Sequence, residues 1–413
     1  MAQPEPEKWF TLGRRVVVVQ VQHGANALDD RYLDLKLPLD SPPPRVTRLT
    51  ALTRVGVVRG QLSIVATCNK DLLLHELERP SEPNTLNIFL ALDTDTDFMP
   101  DERAAAAAGR RVFDVTATRL LNRTPGLPHF SGVRNVGFLS IRGGNGTNVV
   151  AELQATNREA DNTVPFITCR SHQDQENDTL EWEWNQTYLT WPVLDDEANP
   201  QWTTHDVIAH DEKLWWVNLS RGLVACDPAP VQDLLPTLEF VALPVLAGFE
   251  NRHEPLAQID RYRIVGVSAG EMRFVDVARR RNDPEGQTRV VVWTLDLPQA
   301  IGDARWEDNP RQTTLANIWN SANYVQMPRD VVPVVALVHP NEPAVVYFFL
   351  EQYVFSVDVN QSAVVHFAVM PEDGVPRPIN QRDVLAWKRP PFKTVPLQVV
   401  YEKTKHQAQY QQG

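Results

Sequence analysis

The chain has 413 residues, 43% of them hydrophobic and 22% charged, with a formal net charge of −12 at pH 7. That is enough apolar material for two or three ordinary domains or one large repetitive fold. The acidic balance argues against nucleic acid as a partner, because a phosphate-binding surface needs clustered Lys and Arg.

The opening MAQPEPEKWF is acidic and Pro-rich. It lacks the basic start and apolar run of a signal peptide, so residues 1–10 are expected as a flexible N-terminus. No window approaches the roughly 18 apolar residues of a membrane span, so no membrane partner is expected. Cys68, Cys169 and Cys226 are odd in number and far apart, with no CxxC pair. Buried free thiols in a reducing compartment follow, which places the protein in the cytoplasm or nucleus. The Asn-x-Ser/Thr triplets at Asn122, Asn145, Asn177, Asn185, Asn218 and Asn360 then read as chance matches.

Taken in chain order, strand-like segments recur almost throughout. They are predicted at 16–21, 45–52, 62–67, 72–77, 86–92 and 113–118. Residues 137–141 and 149–153 flank Gly143-Gly144-Asn145-Gly146, whose residues tolerate positive φ, and so predict a hairpin. Leu180-Glu181-Trp182-Glu183-Trp184 alternates with period two, one face buried and one wet. Further strands are predicted at 188–193, 206–209, 213–219, 223–226, 238–243, 261–267, 272–277, 289–297, 334–338, 344–350, 353–359 and 364–370. Helical signals are few: the five-Ala run within 100–110, and a short stretch at 315–323. The Lys/Gln-rich end, 391–413, is expected as a flexible tail. Thirty-two Pro and 19 Gly punctuate the chain at short intervals, which suits short strands.

One phrase returns in altered form: Trp215-Trp216-Val217-Asn218-Leu219, Arg273-Phe274-Val275-Asp276-Val277, Trp293-Thr294-Leu295-Asp296-Leu297 and Phe355-Ser356-Val357-Asp358-Val359. On a strand, the first, third and fifth positions share one buried face. The Asp or Asn then sits on the other face or begins a turn, where its side chain can accept from nearby backbone N–H groups. The spacing is irregular but compatible with four-stranded propeller blades. The fold class expected is all-β, a β-propeller-like single domain over 11–390 with about six blades of short antiparallel strands.

The order Trp202-x-x-x-Asp206, Leu214-x-Trp216-Val217-x-Leu219, Arg221-Gly222-Leu223-Val224-x-Cys226-Asp227 and Leu238-x-Phe240-Val241-x-Leu243-Pro244 resembles the domain-of-unknown-function family 1618, a plant family expanded in grasses. Met272–Val275, Val292–Leu295 and Val345–Phe348 are similar to its later pieces, so the likeness covers about 182–370. The resemblance implies a plant protein of no established activity, with a role in stress or reproductive regulation and no catalytic residues to carry over. The chain departs from the family at Asp211-Glu212-Lys213, where the family often has a Gly turn.

The candidate chemistry is thin. His205-Asp206 and His210-Asp211-Glu212 form the densest His/acid cluster, but a spacing of five sends the two imidazoles to opposite faces of a strand. Asp93, Asp95 and Asp97 match the first ligands of a calcium loop, yet Phe98 and Ala104 occupy the positions that need Gly and Glu. Asp195-Asp196-Glu197 reads as a solvated turn. Ser220, His205 and Asp227 lack the elbow of a hydrolase. No metal or other cofactor is expected. Six of the eleven tryptophans lie between Trp182 and Trp216, and Trp is enriched at binding hot spots. Trp184, Trp202, Trp215 and Trp216 are therefore the candidate binding residues. The function expected is a non-catalytic scaffold that binds another protein. The alternatives are a small-molecule or glycan binder and a hydrolase with its site in the propeller channel.

Overall fold

The computed structural model describes residues 9–21, 32–38, 43–54, 58, 60–68, 71–77, 87–91, 112–119, 130–141, 147–156, 161–173, 180–192, 202–229, 235–249, 256–280, 283–298, 301–324, 327–370 and 377–388. The chain begins with β1 (Trp9–Val21), β2 (Tyr32–Pro38), β3 (Val46–Arg54), β4 (Gln61–Cys68), β5 (Asp71–Leu77), β6 (Asn87–Ala91) and β7 (Val112–Arg119). A second group is β8 (Val136–Ile141), β9 (Thr147–Leu153), β10 (Thr163–Gln173) and β11 (Leu180–Thr190). A third is β12 (Asp206–His210), β13 (Lys213–Asn218), β14 (Gly222–Cys226) and β15 (Glu239–Ala242). The fourth holds β16 (Arg263–Ser268), β17 (Glu271–Ala278), β18 (Arg289–Asp296), β19 (Arg305–Trp306) and β20 (Arg311–Thr314), followed by the short helix α1 (Leu315–Trp319). The fifth is β21 (Val334–Val338), β22 (Val345–Leu350), β23 (Tyr353–Asp358) and β24 (Ala363–Val369), and β25 (Val384–Lys388) comes last.

The second, third and fifth groups are four-stranded antiparallel meanders; the fourth is a five-stranded sheet. The last strand returns to the first group, giving an eight-stranded sheet in the order β25-β1-β3-β2-β7-β6-β5-β4. The five sheets stand in a propeller arrangement, so the expected all-β class holds and the count is five sheets rather than six blades. The eight-stranded sheet is the reason for the difference. Its two end strands, β25 and β4, both face the centre of the ring, so one sheet occupies two places around the axis.

Successive sheets are apolar on both faces. Every residue of β14, β21 and β22 is buried. Apolar layers between neighbours follow: Trp216, Phe138 and Phe166 lie in one, Trp215, Phe274 and Trp293 in the next, and Phe348 and Phe355 in another. The repeated phrase occupies β13, β17, β18 and β23. Its Asn218 and Asp358 begin turns as expected: Asn218 Oδ1 accepts from the Ser220 N–H, and Asp358 Oδ1 from the N–H groups of Asn360 and Gln361. Asp276 does something else. It is fully buried and takes a two-pronged ion pair from Arg263, Nε to Oδ1 and Nη2 to Oδ2, each at 3.2 Å.

The strands β2, β10, β19, β20 and β25 go beyond those the sequence predicts. Pro165 masks β10, because Pro in a run argues against a strand interior. It is tolerated here since its carbonyl, which accepts from Gln154 N–H, and hence its nitrogen face the β9 side, beyond the last pair of that ladder, Phe166↔Leu153. The short helix at 315–323 is present as α1, with Thr314 Oγ1 accepting from Asn317 N–H at its start. The Ala run at 100–110, the acidic loops at 93–101 and 195–197, the Gly-rich turn at 143–146 and the tail 391–413 lie outside the described residues. At the other end, Trp9 and Phe10 are buried members of β1, so the ordered part reaches into the expected flexible segment.

Two substitutions test this packing. Glu152 is fully buried, and its carboxylate accepts from Ser131 N–H, Ser131 Oγ–H, Gly132 N–H and the Gln154 side chain. Glu152→Ala orphans those donors and should lower stability by about 2–4 kcal/mol in urea unfolding. A Cβ on Gly222 would collide with the Val241 carbonyl and the Phe240 ring, so Gly222→Ala should cost about 2 kcal/mol in the same measurement.

Candidate functional site

The end strand of each sheet faces the axis: β4, β8, β12, β16, β21 and β25 together line a central cavity of about 550 Å³. Its walls are mostly apolar, from Leu139, Val207, Val265, Leu337 and Leu385 among others. One rim carries His210, Asp211, Glu212 and Lys388. Towards the other end a second chamber of about 250 Å³ adjoins it, lined by Arg14, Arg134, Arg382, His205 and Asp206 among others. Arg14, Val65, Asp206, Val207 and Gln381 line both, so the two chambers meet at Arg14 and Asp206.

Arg14 reaches this junction because β1 changes register between Gly13 and Val17 along β3, a bulge that re-aims the side chain. Its guanidinium donates to the main-chain carbonyls of Val65 in β4 and Val384 in β25. Nη2 also stands 3.4 Å from Asp206 Oδ2 at the head of β12. One side chain thus ties three inner strands together. Asp206 has a second partner, since its Oδ1 accepts from the Val207 N–H at 3.0 Å. On the other side of the small chamber Arg382 lies 2.9 Å from Asp260, Nε to Oδ2, at an angle off the line of a hydrogen bond. Arg134 is exposed and has no carboxylate partner among the described residues.

The densest His/acid cluster is taken apart by its strand. His205 precedes β12 and His210 ends it, so they flank different chambers, roughly 17 Å apart by strand rise. His205 Nδ1 accepts from the Leu219 N–H at 3.3 Å. Burial holds the His205 imidazole below its usual pKa, and the charge of Arg382 adds to the effect. Burial does the same to His210. Ser220 donates to Asn218 Oδ1 at 2.6 Å, and Asp227 Oδ1 accepts from Ala229 N–H, so Ser220 and Asp227 each serve a local turn. No group of three or more His, Cys, Asp or Glu among the described residues is placed to hold a metal ion.

Three of the four expected binding tryptophans are core. Trp202 is 2% exposed, and Trp215 and Trp216 are fully buried. Trp216 Nε1 donates to the Asn135 carbonyl at 2.8 Å, joining the third sheet to the second, and Trp215 Nε1 donates to the His210 carbonyl. Trp202 meets Trp191 edge to face at 5.3 Å. Adjacent tryptophans do face opposite sides of β13, but both sides are interior, because a sheet lies against each face. Trp184 is half-buried on the outer strand β11, against Phe130 at 4.9 Å. Exposed apolar side chains lie elsewhere, above all on β24, where Val365, Phe367 and Val369 are 39%, 48% and 59% exposed. Nothing in the sequence pattern singles out that strand.

The Asp211-Glu212 turn joins β12 to β13 with both residues at positive φ, 50° and 55°. This is the hairpin geometry that favours Asn-Gly, imposed here on two carboxylates at the cavity rim.

Residues 216–347, which run from β13 to β22, match the family model described as a protein of unknown function, DUF1618. No curated protein matches the chain.

Two outcomes are expected. Replacing Asp211-Glu212 by Asn-Gly should raise stability by about 1 kcal/mol, read as a higher denaturant midpoint at unchanged slope. His205 and His210 titrate below their unfolded value, so their contribution is present above about pH 6.5 and is lost as pH falls. The thermal midpoint should therefore drop between about pH 7 and pH 5, and the drop should be smaller in His205→Gln.

Proposed function

We propose that the protein is a non-catalytic protein-interaction scaffold of a plant cell, cytoplasmic or nuclear, which receives an extended segment of a partner protein along its outer strand β24. The observation that carries this reading is the exposure of Val365, Phe367 and Val369 on that strand. Residues two apart share a face of the strand, so Phe367 and Val369 form one apolar patch, with Val365 next to it at the bulge where β24 slips register against β23. The backbone phase supports the same use. Met370 N–H donates inward to Gln352 O, so Phe367 and Val369 turn their own N–H and C=O outward. Earlier along the strand the outward groups of Val364 are taken by Ser321 and Asn323, and no strand pairs beyond β24 among the described residues. An apolar edge with free ladder groups is a template for strand addition.

The cellular setting rests on chemistry as well as on the family likeness. None of the three buried cysteines forms a disulfide, and burial pushes the Cys169 and Cys226 thiols well above their ordinary pKa, which makes those two inert. No described helix is long and apolar enough to cross a membrane. A hydrolase reading meets one Ser–His contact, Ser356 Oγ to His366 Nδ1 at 3.3 Å. Ser356 is fully buried, and its Oγ already accepts the His366 N–H, so a substrate carbonyl has no approach to it.

The test compares capture from source tissue by the wild type and by Phe367→Lys/Val369→Lys. A folded double variant should retain specific partners about tenfold less, as expected when interface anchors are lost. An unchanged set of captured proteins, or none above background with the wild type, removes the reading.

A further inference from the structure

We propose that the central channel is a binding site for a small amphipathic anion, with its apolar body in the larger chamber and its carboxylate or phosphate head against Arg14. This site is independent of the β24 edge. The larger chamber, at about 550 Å³, has the size of a small-molecule pocket. Leu139, Val207, Val265, Leu337 and Leu385 come from five different strands and contribute apolar atoms to its wall beside the strand-edge backbone, which suits a hydrocarbon or aromatic body.

The polar end sets the sign of the ligand. The small chamber is lined by Arg14, Arg134 and Arg382 against Asp206, with Asp260 paired to Arg382, so one cation is in excess, and its His205 is kept neutral by burial. An anion is therefore favoured there and a cation is not. The Arg14 head is also held in place ahead of ligand binding, because two of its nitrogens donate to the fixed carbonyls of Val65 and Val384. Its remaining contact, with Asp206, is long. At 3.4 Å it falls outside the 2.7–2.9 Å of a strong charge-assisted bond. Asp206 keeps the Val207 N–H when it gives up Arg14, so a ligand anion can take its place at small cost. The Arg14–Asp206 contact is the latch between the chambers, and the ligand head takes the place of the Asp206 carboxylate. Arg134, at the rim, supplies a further cation.

The experiment is calorimetric titration of the full chain with octanoate, octyl phosphate and the neutral 1-octanol. Octanoate or octyl phosphate should bind saturably with one site per chain, and the better of the two heads identifies the ligand class. Octanol should bind about tenfold more weakly, the expected effect of losing one charge-assisted hydrogen bond. Two variants move the anion affinity in opposite directions. Arg134→Gln should weaken it about threefold to tenfold, and more salt should weaken it further. Asp206→Asn, which frees Arg14, should strengthen it by a similar factor, an effect that a merely structural Asp206 does not produce. Thermal melts confirm that both variants are folded. The proposal fails if neither anion saturates, if octanol binds as well as the anions, or if both folded variants leave the affinity unchanged.

Discussion

A sheet that is apolar on both faces cannot stand alone, because each face must be covered by another layer. Here β14, β21 and β22 are buried throughout, and the interleaved layers carry Trp215 and Trp216 on opposite sides of a single strand. A row of such sheets would leave one bare face at each end, and a ring leaves none. The pairing that brings the two ends of the ring together is β1 with β25, from Trp9↔Lys388 to Gly13↔Val384. Around it Trp9 packs edge to face on His339 and Tyr347 of the fifth sheet, and Phe10 lies 6.4 Å from Trp387. The remaining layers depend on this closure, since without it the first and fifth sheets would each turn an apolar face to water.

Closure also makes the channel. Six end strands bring their edges to the axis, and edge strands carry carbonyls with no ladder partner. Arg14 answers part of that need by donating to Val65 and Val384, one carbonyl from each end of the eight-stranded sheet. The same placement puts a guanidinium at the neck between two chambers. A structural brace and a ligand-reading group are thus one side chain, and its weak hold on Asp206 separates the two roles.

The outer rim of the ring has the opposite problem. There four of the five sheets present an outer end strand, and the chain treats those edges differently. On β11 the exposed residues include Glu181, Glu183, Asn185 and Gln186, which discourage strand addition. On β24 Ser321 and Asn323 cover one end, and an apolar patch follows. This contrast within one molecule sets the β24 edge apart.

Much of the fold is legible in the chain itself. Period-two patterning and frequent turn residues locate most strands of the second to fifth sheets, and residues 216–227 of the Trp202–Asp227 stretch fall within the family-model match. Local rules work there because alternation and turn chemistry act over a few residues. What only the tertiary structure decides is which of two opposite faces is wet. Period two says that Trp215 and Trp216 diverge, but not that a neighbouring sheet lies on each side, so core tryptophans read as binding anchors. The same holds for Arg14, an ordinary charged residue in sequence whose role depends on β4, β12 and β25, contributed by distant parts of the chain. The number of sheets, too, is set by long-range pairing: β25 carries no signal of its own that it will close the ring against β1. Those partners lie hundreds of residues away, and no local pattern encodes them.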